Sequence, residues 1–232
     1  MKSFFTCLAG FLVILSLAAP AHAADVYVVH GIPGADAGSP DPTLPVDISI
    51  NGQCSLTNVL FKDRVGPIPL AAGQYQIDIS LANPANPCSN PPVISATVTV
   101  GANENATIIA HLAADGSLTA SKFTNDLSLP LFLHGRIVAH HTAAAPAVDI
   151  KLRRRGTLNL TADINGATNG AQAAADVFIG VWEGNIFPAG SHAAPVLGPI
   201  AGLVGYREAY FVYVVGSLQN GTLDKIVLPI SF

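Results

Sequence analysis

The chain has 232 residues, of which 50% are hydrophobic and only 11% are charged, and its formal net charge at pH 7 is −4. Ordinary soluble domains carry about 25% charged residues, so this composition predicts a surface that depends on small and uncharged polar side chains. The mild acidity argues against nucleic-acid binding. Beyond the N-terminus, the sequence has no uninterrupted apolar run of the roughly 18 residues that a membrane-spanning helix needs.

The N-terminus has the three parts of a secretory signal peptide. A short positive end, Met1-Lys2, precedes an apolar run from Phe4 to Leu17, and the small residues around Ala21 and Ala23 follow. We predict cleavage after Ala23, which makes residues 1–23 a signal peptide and places the mature chain outside the cytoplasm, in the periplasm or the medium. The alternative of a retained anchor is disfavoured, because an apolar run of about 14 residues is too short to cross a bilayer comfortably.

The first predicted β-strands flank a proline- and glycine-rich loop. A strand that ends at His30 is followed by the loop Gly31–Pro45 and then by the strand Val46 to Ile50. In that second strand β-branched residues alternate with polar ones, starting with Asp47. Such period-two alternation is typical of a strand with one buried and one solvated face.

The mature chain retains two cysteines, Cys54 and Cys88. In an oxidising compartment a lone pair of cysteines is most simply a disulfide, although free or metal-bound thiols are the alternatives. The bridge would close a loop of about 34 residues, and in the chain-entropy model it would stabilise the fold by about 3–4 kcal/mol.

The same strand-loop-strand pattern occurs again further along the chain. A strand that ends at His140 precedes a proline loop and the alternating strand Val148 to Leu152, which contains Asp149. The first copy has the longer loop, since 47 − 30 is 17 and 149 − 140 is 9. Short strands with 17 prolines and 21 glycines predict an all-β fold: two tandem antiparallel β-sandwich domains, immunoglobulin-like or transthyretin-like, over residues 24–128 and 129–232.

The pattern of a Val-rich strand ending in His, a proline loop and Pro-x-Val-Asp-Ile resembles a bacterial extracytoplasmic family, the domain of unknown function 4397. The first copy also carries Ala72-Gly73-Gln74-Tyr75, similar to a later motif of the family, whereas the second copy has Ala175-Asp176-Val177 where that Gly-x-Tyr motif is expected. We therefore align the strand around Val177 and Val181 with the strand that begins at Tyr75. The resemblance implies two tandem copies of an exported β-sandwich and no reaction.

The repeated polar residues are candidates for structural roles. His30 and His140 are interpreted as equivalent residues that hydrogen-bond the loop that follows each of them. Asp47 and Asp149 are interpreted as carboxylates that accept backbone N–H bonds and fix the turns. The alternative, a catalytic His–Asp pair or a metal site, lacks the nucleophile or the ligand spacing that it would require. We predict no catalytic residue, no metal ligand and no cofactor.

Arg153, Arg154 and Arg155 form the one cluster of charge in the sequence. They are interpreted as a solvated turn at the end of a strand. The alternative interpretation is a small anion-binding patch, for example for envelope phosphates or an acidic polysaccharide.

These features predict a non-catalytic envelope or secreted module that binds or scaffolds an unidentified envelope protein or glycan. The loops Gly31–Pro45 and Asn83–Pro92 are its predicted recognition surfaces, because sandwich proteins commonly carry recognition on loops. Two alternatives remain open at this stage: a structural component that self-associates, and an enzyme acting on an envelope polymer.

Overall fold

A computed structural model describes residues 23–156, 160–191 and 193–232. The predicted signal peptide lies outside these ranges except for its last residue, so its cleavage stays a prediction. No helix within the described ranges is both long enough and apolar enough to cross a membrane.

The first half of the chain forms a sandwich of eight strands and one short 3-10 helix, Gly34–Ala37. The strands of this first sandwich are β1 (Ala24–His30), β2 (Val46–Ile50), β3 (Gln53–Val59), β4 (Arg64–Leu70), β5 (Gly73–Leu81), β6 (Pro92–Val100), β7 (Asn105–Leu112) and β8 (Leu118–Thr124).

The described residues of the second half form another sandwich of eight strands. The strands of this second sandwich are β9 (His134–His141), β10 (Val148–Arg154), β11 (Thr161–Ala167), β12 (Gln172–Phe178), β13 (Gly180–Pro188), β14 (Leu197–Val204), β15 (Glu208–Val215) and β16 (Asp224–Ser231). The predicted boundary between residues 128 and 129 falls in the connection between β8 and β9 and stays a prediction in its exact position.

The two sandwiches have the same strand order. In the first, the sheets are β4-β1-β7-β8 and β3-β2-β5-β6; in the second, they are β12-β9-β15-β16 and β11-β10-β13-β14. Adding eight to each strand number of the first sandwich therefore reproduces the second. The prediction of an all-β fold with tandem sandwiches is confirmed.

Each sandwich contains one parallel pair in an otherwise antiparallel arrangement, β1 with β7 and β9 with β15. The sequence pattern does not predict this pairing, because alternation specifies which face of a strand is buried and not the direction of its neighbour.

The four sheets are stacked, with an apolar core in each of the three spaces between them. Val26 and Val28 of β1 face the core of the first sandwich, and Val212 and Val214 of β15 contact the core of the second. A third core lies between the two inner sheets and contains Val29 of β1 together with β15 residues such as Phe211. β1, β7, β9 and β15 are apolar on both faces because they lie between two cores.

The strand alignment drawn from the sequence is wrong for Val177 and correct for Val181, which lies in β13, the counterpart of β5. Val177 lies in β12, the counterpart of β4, so it does not belong to the counterpart of β5. The counterpart of Gly73-Gln74-Tyr75 is Gly180-Val181-Trp182, because Gly73 pairs with Val100 and Gly180 pairs with Val204 at equivalent ladder positions. The motif is present in the second sandwich with tryptophan in place of tyrosine, and a search for tyrosine alone misses it.

The predicted disulfide between Cys54 and Cys88 is confirmed, with a Cα–Cα distance of 5.7 Å. It ties β3 to the loop between β5 and β6. The loop Gly31–Pro45, predicted as a recognition surface, makes contacts between the sandwiches: the Asp36 carboxylate accepts hydrogen bonds from Asn220 at 2.8 Å and from Thr222 at 2.6 Å.

Candidate functional site

His30 holds the loop that follows β1. Its ring is 1% exposed, and its Nε2 donates to the carbonyl oxygen of Leu44 at 2.8 Å. Its Nδ1 accepts a hydrogen bond from the backbone N–H of Ile32 at 3.4 Å. Burial lowers the pKa of His30, with the Leu44 hydrogen bond opposing that change. A neutral, doubly bonded imidazole in this place fixes both ends of the loop.

The structural counterpart of His30 is His141, which corrects the assignment to His140. His141 Nε2 donates to the carbonyl oxygen of Pro146 at 3.0 Å, and its Nδ1 accepts from the N–H of Ala143 at 3.4 Å. These are the same two bonds that His30 makes. Two adjacent histidines fit the sequence pattern equally well, but a shift of one residue moves a side chain to the opposite face of its strand.

His140 lies on that opposite face, in the core between the sandwiches. Its ring stacks on Tyr213, with centroids 4.4 Å apart and an interplanar angle of 19°, and meets the edge of Phe123 at 4.6 Å. Its Nε2 lies 3.2 Å from Oε1 of Gln172. Burial lowers the pKa of His140 to about 4, against the Gln172 hydrogen bond that raises it. His140 is thus a neutral interface residue and does not organise a loop.

Asp47 and Asp149 are buried carboxylates that anchor loops in equivalent places. The oxygens of Asp47 accept backbone hydrogen bonds from Asn58 at 2.9 Å, Asn83 at 3.1 Å and Cys88 at 2.9 Å. Burial raises the pKa of Asp47, but these three donors outweigh it and hold the pKa below its usual value.

Asp149 repeats this arrangement in the second sandwich. Its two oxygens accept from the N–H groups of Gly166 at 2.8 Å and Gly190 at 2.9 Å. The histidines and aspartates singled out in the sequence therefore belong to loop anchoring and to the interface between the sandwiches. Among the described residues, no group of three or more His, Cys, Asp or Glu side chains is placed to hold a metal ion.

The three arginines that follow one another in sequence do not converge on one point. Arg154 is half-buried, and its Nη2 donates to the carbonyl oxygen of Ile179 at 2.6 Å. Arg155 is exposed, and its Nε donates to Glu183 at 2.6 Å. Arg153 is exposed on the outer sheet of the second sandwich. The cluster thus offers two exposed guanidinium groups, one of them already paired with a carboxylate.

A cavity between the two sheets of the second sandwich is the candidate binding site. Its volume is about 250 Å³, and its walls come from β9, β10, β13, β14, β15 and β16. The corresponding space of the first sandwich measures about 20 Å³, and a separate space of about 70 Å³ lies beneath the loop Gly31–Pro45. A ligand-sized interior is therefore a property of the second sandwich.

Three substitutions between equivalent positions hollow out the second sandwich. The strand pairing places Gly184 at the position that Ile77 has in the first sandwich. Gly184 pairs with the last inward-facing residue of β10, and Ile77 pairs with the last inward-facing residue of β2. By the same comparison Gly202 stands in place of Val98. Ala139 replaces Val28, because each lies two residues before the loop-anchoring histidine. Each change removes apolar volume from a wall of the cavity.

Two aromatic side chains that are larger than their counterparts in the first sandwich line the cavity around these three positions. Tyr210 and Trp182 line the cavity at positions where the first sandwich has Ala106 and Tyr75. Their polar atoms are already bonded: Trp182 Nε1 donates to the carbonyl oxygen of Phe178 at 2.8 Å, and the Tyr210 hydroxyl donates to Glu208 at 2.6 Å. Burial and the Glu208 carboxylate raise the pKa of Tyr210 to about 12. The cavity therefore offers a ligand apolar contact.

The cavity communicates with solvent along β14. Ala201 and Gly202 of β14 are exposed, and Val227 of β16 is partly exposed, although all three line the cavity. In the first sandwich the edge strands β6 and β8 approach one another, whereas the second sandwich closes at its other edge, between β11 and β12. The edge between β14 and β16 is left as an entrance. Sequence reasoning missed this site; a glycine inside a strand, as at Gly184 and Gly202, is the signal that points to it.

Over residues 24–151 the sequence matches the family described as "Domain of unknown function (DUF4397)". No curated protein sequence matches the chain.

Two solved structures are similar at low sequence identity. "The Bacillus anthracis TIE protein" matches with 9% identity and a TM-score of 0.28, covering 84% of this chain and 34% of that one, so this chain spans about a third of its length. The C-terminal fragment of the pilus adhesin SpaC from Lactobacillus rhamnosus GG matches with 11% identity and a TM-score of 0.22, covering 90% of this chain and 98% of that one. Both TM-scores are too low for either likeness to contribute to the functional argument.

Proposed function

The chain belongs to the DUF4397 family, and from this premise we propose that it is an exported, non-catalytic module that binds a small apolar ligand in the cavity of its second sandwich. The observation that carries the proposal is the contrast between about 250 Å³ in the second sandwich and about 20 Å³ in the corresponding space of the first. Protein interiors are normally close-packed, so an open cavity of this size in only one of two like folds favours a binding role.

The chemistry of the walls sets the class of ligand. A dry apolar cavity of about 150 Å³ is known to accept benzene, so a space of about 250 Å³ suits a bicyclic aromatic or a short alkyl chain. The Tyr210 hydroxyl and the Trp182 indole N–H are engaged within the protein. An uncharged ligand therefore fits the site, and a charged one would lose its hydration without compensation.

The second sandwich is proposed to be a second, divergent copy of the DUF4397 domain. Support comes from the shared strand order, from the loop-anchoring pairs His30–Asp47 and His141–Asp149, and from the motif Gly180-Val181-Trp182. In this proposal the first copy keeps a filled core and the second has been opened for a ligand.

Export outside the cytoplasm is part of the same proposal. It is supported by the signal-peptide pattern of residues 1–23 and by the disulfide between Cys54 and Cys88, a bond that persists in oxidising compartments. A protein or glycan partner in the envelope remains compatible with this function.

Trp182 allows a direct test, because it is the only tryptophan in the chain and it lines the cavity. We expect naphthalene, titrated into the mature protein, to change the Trp182 fluorescence in a saturable way. Gly202→Val places a side chain in the cavity and is expected to weaken binding at least tenfold. Thr99→Val, which introduces valine on an exposed strand position of the first sandwich, is the matched control and should bind as the wild type does. A wild-type protein that shows no saturable change up to the solubility limit of naphthalene would falsify the proposal.

A further inference from the structure

Exposed apolar side chains are concentrated at one end of the second sandwich. Twelve large apolar side chains are well exposed in the part of the chain that the structure describes, and half of them lie at this end. We call this surface the apolar end and define it by Leu131, Phe132, Phe178, Val181, Leu203 and Tyr206. Phe132 and Leu131 are the most exposed of the twelve, at 75% and 73%.

Contacts between neighbouring segments hold these side chains together. The rings of Phe132 and Tyr206 meet edge to face with centroids 5.9 Å apart. Val181 and Leu203 are paired across β13 and β14. The linker that carries Phe132 is joined to the turn after Phe178, since the N–H of Ile179 donates to the carbonyl oxygen of Leu133 at 2.9 Å. One linker, two turns and a strand pair therefore present a single surface.

Cationic side chains border the apolar end. Arg207 lies beside Tyr206, with its guanidinium carbon 5.6 Å from the centre of the ring. The backbone N–H of Arg155 donates to the carbonyl oxygen of Val181 at 2.8 Å, and Arg153 is exposed on the adjoining strand. The nearby carboxylates are internally engaged, Glu183 with Arg155 and Glu208 with Gly205 and Tyr210. Because Glu183 pairs with Arg155, the cationic contribution at this end comes from the exposed Arg153 and Arg207.

The corresponding end of the first sandwich shows that the fold itself does not require this surface. There the turn between β4 and β5 is Ala71-Ala72, the turn between β6 and β7 is Gly101–Glu104, and the turn between β2 and β3 is Asn51-Gly52. These turns are small or polar. Phe178 and Tyr206 thus lie at turns that are small or polar in the first sandwich, and Val181 and Leu203 stand where the first sandwich has Gln74 and Thr99.

We propose that the apolar end docks onto the surface of an anionic lipid bilayer, with its apolar side chains in the headgroup region and Arg153 and Arg207 at lipid phosphates. Exposed apolar and aromatic side chains at one end, bordered by arginine, match the layered chemistry of a bilayer interface. The cationic border gives a preference for anionic lipids, because each arginine near such a surface adds to the attraction.

This surface is separate from the cavity. Val181 and Leu203 alternate with Trp182 and Gly202 along their strands, so the two sets point to opposite faces of the outer sheet. A protein that binds naphthalene but not vesicles, or vesicles but not naphthalene, would therefore distinguish the two proposals.

The first test is co-sedimentation of the mature protein with vesicles of phosphatidylglycerol and phosphatidylethanolamine. We expect Phe132→Ser combined with Leu203→Ser to reduce binding about tenfold or more, because two apolar contacts with the interface are lost. Leu81→Ser combined with Val93→Ser is the matched control, since these side chains are 45% and 46% exposed on the first sandwich. The control should bind as the wild type does, and an equal loss in both double variants would overturn the proposal.

The second test separates charge from apolar contact. Arg153→Gln combined with Arg207→Gln is expected to reduce binding by about fivefold for each arginine, and vesicles of phosphatidylcholine alone should bind the wild type correspondingly less. Wild-type protein that does not bind the anionic vesicles overturns the proposal. So does a wild-type dimer, seen by sedimentation velocity, that dissociates in the Phe132/Leu203 variant without vesicle binding, because a second copy of the chain would then cover the apolar end.

Discussion

The two sandwiches share one strand order but differ in what fills the space between their sheets. The first has a packed core with separate spaces of about 20 Å³ and 70 Å³, and the second has a cavity of about 250 Å³. Both keep a histidine and an aspartate that anchor the loops at one end. The comparison shows that loop anchors and strand alternation maintain this fold. A few inward-facing positions, among them Gly184 and Gly202, determine whether the space between its sheets is packed or contains a cavity.

The largest effect is expected where the two sandwiches are most alike. Asp47→Ala leaves the backbone N–H groups of Asn58, Asn83 and Cys88 without their acceptor, and we expect it to lower the free energy of unfolding by about 3–5 kcal/mol. Asp149→Ala should destabilise the second sandwich for the same reason. Urea denaturation followed by circular dichroism measures both.

Asp41→Ala is the control for these variants, because Asp41 is exposed and its carboxylate accepts hydrogen bonds from Thr43 within its own turn. We expect a much smaller change for it. If Asp149→Ala also changes the free energy of unfolding only slightly, the aspartate anchor stabilises the first sandwich and not the second. The two sandwiches would then differ in this feature as well.

Sequence reasoning predicted those features that depend on alternation and on residue chemistry. The all-β fold followed from period-two strands such as Val46 to Ile50, the disulfide from two cysteines in an exported chain, and the family from its short motifs. The strand and motif signals each lie within a few residues, and the disulfide follows from there being only two cysteines in the mature chain. None of these predictions requires knowledge of which strands become neighbours.

The features that depend on register were not predictable in the same way. His140 and His141 are equally good candidates by pattern, but only the ladder shows which one faces the loop. The cavity depends on Gly184 and Gly202, on neighbouring strands of one sheet, lying opposite Ala139 of the other sheet. The apolar end likewise joins a linker, two turns and a strand pair that meet only in the folded chain.

An intermediate effect is expected from pH, and its largest part is expected from His140 of the second sandwich. His140 occupies the interface position that Val29 has in β1, and burial lowers its pKa from 6.5 to about 4. The unfolded chain therefore binds this proton more readily than the folded one. Stability is fully present above pH 6.5 and falls as the pH drops towards 4, by about 2–3 kcal/mol between pH 7 and pH 4.5.

His140→Phe should flatten this dependence, since it keeps an aromatic ring against Phe123 and Tyr213 and removes the titrating group. Urea denaturation of both proteins at several pH values in this range gives the slopes. His30, His111 and His141 also have pKa values lowered by burial, so part of the slope is expected to remain. A variant whose slope equals that of the wild type would assign the acid sensitivity to those histidines.

The smallest effect is the most direct test of the hollow core. A Cβ at Gly202 would have no atom within 4 Å, so Gly202→Val is accommodated without a clash and restores the residue that the first sandwich has at Val98. We expect a gain of about 1 kcal/mol in the free energy of unfolding, because apolar surface is buried and a flexible glycine leaves a strand. Thr99→Val serves again as the control for adding valine to a strand. A gain in stability together with lost naphthalene binding would show that the second sandwich gives up packing energy to keep its cavity open. A loss of stability would mean that the two sheets are already at their preferred separation. The cavity would then be maintained by the backbone rather than by the missing side chains.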